Sequence, residues 1–208
     1  ILLENVILDR AAQFAHIRAL TLRHRDIHRQ QHVSKLIPLM AEAGVHAVAN
    51  PLINITLQGR HDTYPKRRGM TRVKELMQAG VNVAFGHDCV MDPWYPLGSH
   101  DMLEVAHMGL HVAQMTGTEE MQRLFDAVTV NGAKALGLED YGLEPGCFAD
   151  LVVLQAGDPV EALRLKPARL FVVRRGKVIA ETAAVESRLN LGGPCLSVDF
   201  RHGTGSGA

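Results

Sequence analysis

The hydrophobic and polar positions of the chain follow one plan twice between residues 39 and 88. The stretches "LMAEAGVHAVANP" and "LMQAGVNVAFGHD" each leave an amphipathic helix, pass a glycine and end in a short apolar run. Gly44 and Gly80 are placed to end the two helices in a left-handed conformation. The runs 45–49 and 81–85 lack strict alternation, which favours parallel strands covered on both faces. Helices that alternate with such strands predict a parallel α/β sheet.

Further helices follow the second strand. The stretch "DMLEVAHMGLHVAQM" has a helical apolar stripe with Asp101 near its start, and Thr118 with the two acids after it opens another helix. A last short helix is predicted to end near Gly137. The candidate helix caps are Ser34, Thr71 and Asn131.

The pattern changes at about Gly142, where short β-type runs separated by glycines replace the alternation of helix and strand. The stretch "RRGKV" between two of these runs predicts a hairpin turn. The last residues, "GTGSGA", have the composition of a flexible tail. A small β element therefore follows the α/β part.

Composition narrows the function classes. The 208 residues are 47% hydrophobic and carry no formal net charge, which argues against bulk attraction to nucleic acid or to an anionic membrane. No apolar run approaches the roughly 20 residues of a membrane span. The three cysteines are scattered and odd in number, so a disulfide framework is not expected and a reducing cytoplasm is the predicted location.

The candidate functional residues follow the second strand. Asp88 stands at its carboxyl end, where parallel α/β folds collect functional side chains. A carboxylate there can hold a divalent cation and accept a proton from bound water, or it can be an ordinary turn or cap residue. Pro93 and Pro96 fix the backbone of the following loop. On that loop Trp94 either covers a pocket and stacks on a flat ligand or packs on the domain surface.

These residues resemble bacterial cytosine deaminase, a family of the amidohydrolase superfamily, in its C-terminal half. The motifs "LQGR-DTYPKRRG", "GHD", "DPWYPLG" and "HMGLHV" lie in family order between about Val33 and Ile179. The stretch "VNGAKALGL-DYGLEPGCFADLVVL" is similar to the superfamily segment where the barrel ends and a small β-sandwich begins.

The resemblance implies an α/β fold made of the C-terminal part of a (β/α)8 TIM-type barrel plus strands of a small β-sandwich. It divides the chain into an unmatched segment 1–32, a barrel part 33–141, a sandwich segment 142–202 and a flexible tail 203–208.

The resemblance also implies the chemistry, because the family converts cytosine to uracil and ammonia with one divalent metal ion, Fe2+ or Zn2+. Asp88 corresponds to the aspartate at the end of barrel strand eight, which binds the metal and moves protons from the attacking water to the leaving amine. Trp94 corresponds to the aromatic residue that closes over the pyrimidine. Cys89 stands where the enterobacterial enzyme has a second Asp at the pocket, so we expect it to bind substrate and to change the preferred base or ring substituent.

The N-terminal segment departs from the family. The family places there a histidine that hydrogen-bonds the catalytic water and the substrate, and His24 is the nearest candidate by position. The early His-x-His pair is missing, as is the strand-five His with a Glu three residues later. We therefore expect a C-terminal fragment that holds no catalytic metal by itself. We also hypothesise that residues 1–32 arise from an upstream reading-frame error.

The predicted function is hydrolytic deamination of cytosine or a related aminated nucleobase, with a place in pyrimidine salvage. One alternative is a deaminase of another heterocycle, such as isoguanine or an aminotriazine; the other is a catalytically inactive fragment. The expected partner is the small nucleobase, with no nucleic acid and no membrane, and homo-oligomerisation is left open.

Overall fold

The computed structural model describes residues 27–66, 68–193 and 196–198, so His24 and most of the segment 1–32 lie outside the described residues. The chain divides into two compact units, Ile1–Glu139 and Asp140–Ala208. The sequence places the change of character two residues after this division, at Gly142.

The first unit alternates helices with two short strands, as the sequence pattern predicts. Its elements in chain order are α1 (Ile27–Glu42), β1 (Ala47–Ala49), α2 (Pro51–Leu57), α3 (Val73–Gln78), β2 (Val83–Phe85), α4 (Met102–Val112), α5 (Thr118–Ala127) and α6 (Val130–Leu136). No helix in the described part of the chain combines the length and the apolar composition that a membrane span needs.

The two strands of the first unit pair in parallel, which confirms the predicted arrangement; Ala47 lies opposite Val83 and Ala49 opposite Phe85. Every residue of β2 is buried, and α3, α4, α5 and α6 all contact this strand. The expectation that both strands are covered on both faces is wrong for β1, where Val48 is 47% exposed. The core of this unit is therefore built around β2.

Three helices end at a glycine and one begins at an aspartate, as predicted. Gly44 and Gly80 have φ values of 64° and 85°, the left-handed conformation expected after α1 and α3. Gly137 closes α6 in the same way with φ 61°. The Asp101 carboxylate accepts a hydrogen bond of 2.7 Å from the Leu103 amide and so caps α4.

The predicted caps of the other helices are wrong. Ser34 lies inside α1, which begins seven residues earlier, and α3 begins at Val73 behind Arg72 rather than behind Thr71. Asn131 lies inside α6, and its side-chain amide donates to the Val83 carbonyl at 3.0 Å. A cap residue is recognised locally, but here the amide serves a strand 48 positions away in the chain.

The second unit contains mainly antiparallel strands. Its elements are β3 (Leu151–Leu154), α7 (Pro159–Leu165), β4 (Arg169–Arg174), β5 (Lys177–Glu181), β6 (Ser187–Leu189) and β7 (Leu196–Val198). The order β3–β4–β5 forms one sheet, and β6 pairs with β7. Arg175 and Gly176 link β4 to β5 with φ values of 48° and 75°, which confirms the predicted hairpin at "RRGKV".

Candidate functional site

The carboxyl ends of β1 and β2 lie side by side, because parallel strands end at the same edge of a sheet. The Gly86 amide donates to the Ala49 carbonyl at 2.9 Å, which extends the pairing beyond the strands. A Cβ atom on Gly86 would stand 2.5 Å from Oδ1 of Asn50, so only glycine leaves room for that amide group. The residues that follow both strands therefore share one edge.

The backbone turns sharply at Asp88. This residue has φ 65°, and the amide of Cys89 donates to the carbonyl of His87 at 3.0 Å. A hydrogen bond between residues two apart around a positive φ describes a γ-turn, a conformation that is rare and strained for a residue other than glycine. Such strain is typical of functional sites. The turn leaves the Asp88 residue exposed at the strand end.

The loop after Asp88 is organised around a second carboxylate. Oδ1 of Asp92 accepts hydrogen bonds from the amides of Trp94 at 2.9 Å and Tyr95 at 2.8 Å. The Met91 amide donates to the Leu97 carbonyl at 3.0 Å and closes the loop on itself. Tyr95 is buried and anchors the loop, whereas Trp94 is 66% exposed. Most of the indole surface is therefore available to a ligand.

The Cys89 thiol is held in its protonated form. Burial, a hydrogen bond to Asp92 and the negative charges of Asp88 and Asp92 raise the pKa of Cys89 to about 11. The amide of Tyr95 and then the Cys89 thiol lower the pKa of Asp92. A thiol that stays protonated near neutral pH is a poor nucleophile, so Cys89 offers this edge a neutral, weakly polar surface.

The loop after α2 is tied down by its basic side chains. Nζ of Lys66 donates to the Arg60 carbonyl at 2.8 Å, and Nη1 of Arg68 donates to the Ile55 carbonyl at 2.6 Å. Arg67 lies outside the described residues. Lys66 thus bonds within the loop, and Arg68 bonds back to the last turn of α2.

The structure brings three of the four residues proposed from the sequence onto one loop: Asp88, Cys89 and Trp94. The fourth, His24, lies outside the described residues. Sequence reasoning missed His87, to which it assigned no role. Nδ1 of His87 is 2.8 Å from the Cys89 carbonyl oxygen, so this ring belongs to the same turn. No local sequence pattern indicates this contact.

The metal that the family resemblance implies does not fit the described residues by themselves. Across the described ranges, no three His, Cys, Asp or Glu side chains lie close enough to hold a metal ion. Asp88 supplies one exposed carboxylate, and a structural or catalytic site needs at least three protein ligands. Asp88 is thus a candidate for one coordination position only.

Comparison with known proteins gives one family match and several related deaminases. A family model described as "Amidohydrolase family" matches residues 4–184 of the chain. This span includes most of the segment 1–32, to which the motifs gave no counterpart in the family. The chain is 36% identical over 145 residues to a pterin deaminase of Rhizobium rhizogenes, covering 69% of this chain and 33% of that protein.

Two further proteins extend the comparison. N-isopropylammelide isopropyl amidohydrolase of a Pseudomonas species is 32% identical over 114 residues, which is 54% of this chain and 28% of that protein. The crystal structure of 5-methylcytosine deaminase from Klebsiella pneumoniae, liganded with 5-fluorocytosine, superposes with a TM-score of 0.74 at 43% identity. That superposition covers 77% of this chain and 39% of the deaminase chain. The chain thus spans about two fifths or less of the length of these proteins.

Proposed function

The chain belongs to the amidohydrolase family, and we propose that the complete protein hydrolytically deaminates cytosine or a cytosine with a substituent on its ring. The observation that carries this proposal is Asp88: an exposed carboxylate held in a strained turn at the carboxyl end of a buried parallel strand. Enzymes of parallel α/β architecture place their chemistry at such strand ends.

Hydrolytic deamination needs a group that takes a proton from water and gives one to the leaving amine. A carboxylate can do both if it is placed beside the reacting carbon. Asp88 is the described residue at this edge that offers such a carboxylate with an exposed position. The second carboxylate of the loop, Asp92, is engaged by two backbone amides and the Cys89 thiol and therefore serves the loop itself.

The architecture and the cofactor are part of the proposal. We place β1 and β2 as the last two strands of a (β/α)8 barrel, with the strands after residue 140 in a β-sandwich. Members of the family typically use a divalent metal such as zinc, and Asp88 is our candidate for one ligand. We retain His24 as the candidate for the histidine that hydrogen-bonds the catalytic water and the substrate. These roles concern the complete protein, since the described residues do not form a metal site alone.

The substrate assignment rests on the loop after β2. Trp94 exposes its ring beside the turn and is proposed to stack on a flat base. The protonated Cys89 thiol is proposed to face the base and to tolerate an apolar ring substituent, because it carries no charge that must stay hydrated. A structural relative at 43% identity is named for a 5-methylated cytosine, which agrees with this reading.

A second candidate is deamination of a larger aminated heterocycle. The pterin deaminase at 36% identity favours it. The same carboxylate would serve this reaction, and only the pocket that holds the ring system would differ.

The test is ammonia release by the purified complete protein from a panel of cytosine, 5-methylcytosine, isoguanine, an aminotriazine and a pterin. We expect turnover of the two cytosines, with 5-methylcytosine favoured over cytosine. The Cys89→Asp variant should shift the preference toward cytosine, because a hydrated carboxylate disfavours an apolar methyl group beside it. Turnover of the pterin alone would replace this function with the second candidate, and turnover of none would refute both.

A further inference from the structure

His87 is the side chain near the site that the proposed reaction leaves without a role. It lies between the buried strand β2 and the exposed Asp88, and it contacts both ends of the loop that follows. Its contacts are with the backbone and the side chains of this loop.

The first contact brackets Asp88. Nδ1 of His87 lies 2.8 Å from the Cys89 carbonyl oxygen, and a carbonyl can only accept, so Nδ1 carries the hydrogen. The Cys89 amide donates in the opposite direction, to the His87 carbonyl at 3.0 Å. Two hydrogen bonds between His87 and Cys89 therefore close around the single residue between them. They offset the cost of the positive φ at Asp88.

The second contact joins the turn to the far end of the loop. Gly98 has φ 91°, and a Cβ atom built on it would lie 2.5 Å from Cε1 and 3.0 Å from Nε2 of His87. The Tyr95 ring centroid lies 6.0 Å from that of the imidazole. The ring thus fills the space between the turn and the segment that carries Trp94.

His87 is half-buried beside the loop. Its Nε2 atom is buried and has no hydrogen-bond partner within the described ranges of the chain. A proton-transfer group must reach the reacting atoms, and a buried nitrogen is poorly placed to do so. The geometry therefore fits a positioning role better than a chemical one.

We propose that His87 is a positioning residue: its Nδ1–H bond to the Cys89 carbonyl and its packing against Gly98 hold the Asp88 carboxylate and the loop 89–98 in their working geometry. The proposal rests on the proposed role of Asp88, and part of its test is independent of activity. Because a side-chain donor at the δ position is what matters, asparagine should replace His87 better than leucine does. Nδ2 of asparagine reaches the position of Nδ1, whereas leucine fills space without donating.

The structural arm uses hydrogen exchange and NMR on the purified protein. In the wild type we expect the His87 ring to carry hydrogen on Nδ1 and the Cys89 amide to be protected. The Cys89 amide should exchange about five- to tenfold faster in His87→Leu and should stay protected in His87→Asn. His111→Leu is the matched control, because its exposed ring contacts the carbonyl and the ring of His107 on its own helix; it should leave the Cys89 amide unchanged.

The kinetic arm uses the complete protein and the base that it turns over fastest. His87→Leu should lower kcat about 100-fold with a smaller change in KM, and His87→Asn should recover most of the loss. Equal losses of amide protection and of kcat in His87→Asn and His87→Leu would overturn the proposal. So would a wild-type ring with hydrogen on Nε2 and none on Nδ1. If the complete protein deaminates nothing, the proposed function fails, while the structural arm still decides whether His87 holds the turn.

Discussion

The two parallel strands of the first unit end in different ways, although the same sequence plan leads into both. After β1 the chain enters a helix at once: Asn50 precedes Pro51, and the Asn54 amide already donates to the Asn50 carbonyl at 3.0 Å. After β2 the chain passes Gly86 and reverses at Asp88 with φ 65°. The first end uses its backbone groups to start a helix, and the second uses them to present one carboxylate.

The loops beyond the two strand ends differ in the same sense. Beyond α2, Lys66 donates to a carbonyl of its own loop and Arg68 to a carbonyl of α2. Beyond β2, the hydrogen bonds converge on Asp92, and Asp88 and Trp94 are left exposed. A repeated helix–strand plan thus builds the frame, while the residues just past each strand determine whether its end exposes a carboxylate.

Removing the carboxylate at the β2 end should have the largest effect. Asp88→Asn keeps the size of the side chain and removes its capacity to exchange protons, so kcat of the complete protein should fall by about 10²- to 10⁴-fold. Asp62→Asn, in the loop beyond α2, is the matched control and should change kcat little. Similar losses in both variants would show that the two loops do not differ as proposed.

Adding a methyl group between the strand ends should destabilise the fold. In Gly86→Ala the new Cβ would meet Oδ1 of Asn50 at 2.5 Å, so the free energy of unfolding should drop by about 1–3 kcal/mol. Chemical denaturation measures this loss. In an Asn50→Ala background the same change should cost less, whereas additive losses would contradict the contact. Gly132→Ala, which meets nothing within 4 Å, should not destabilise the protein.

Truncating the exposed aromatic residue of each loop should separate their roles in binding. Trp94→Ala should raise KM for the base about tenfold, because a stacking surface is lost, and should leave the melting temperature nearly unchanged since the ring is 66% exposed. Tyr64, which is 87% exposed beyond α2, should be replaceable by alanine without effect on KM. An equal rise in both variants would remove the special role of Trp94.

The smallest expected effect concerns the electrostatics of the loop after β2, which can be measured through the alkylation of Cys89. Since the thiol pKa is raised to about 11, the rate measured by peptide mass spectrometry should still be climbing at about pH 10. Asp92→Asn removes a hydrogen-bond acceptor and a negative charge, which lowers this pKa, so alkylation at about pH 8 should become roughly two- to tenfold faster. A rate that levels off by about pH 9 in the wild type would contradict the assigned pKa.

The sequence predicted the frame of the first unit better than its details. Gly44 and Gly80 indicate the helix ends in the sequence, because the left-handed conformation that ends each helix is a local feature that favours glycine. Ser34 misled the assignment of α1, because a serine inside a helix and a serine at its cap look alike in sequence. Asn131 did the same, because its partner is the distant Val83 carbonyl.

The candidate site could be predicted from the sequence as single residues in order along the chain. Asp88 and Trp94 could be proposed from their positions after an apolar run and between prolines. The packing of His87 could not be predicted, because it depends on how the loop folds back to bring Gly98 against the ring. The raised pKa of Cys89 likewise arises from a folded contact with Asp92.

The most direct test of the central claim is a crystal structure of the complete protein with 5-fluorocytosine bound. If Asp88 acts as proposed, its carboxylate should lie about 2.6–3.2 Å from the amine-bearing position of the base or from the water beside it. Asp88 should keep its positive φ, and the Trp94 ring should lie against the base. A base bound away from the β2 end, or an Asp88 turned out of reach with an ordinary negative φ, would contradict it.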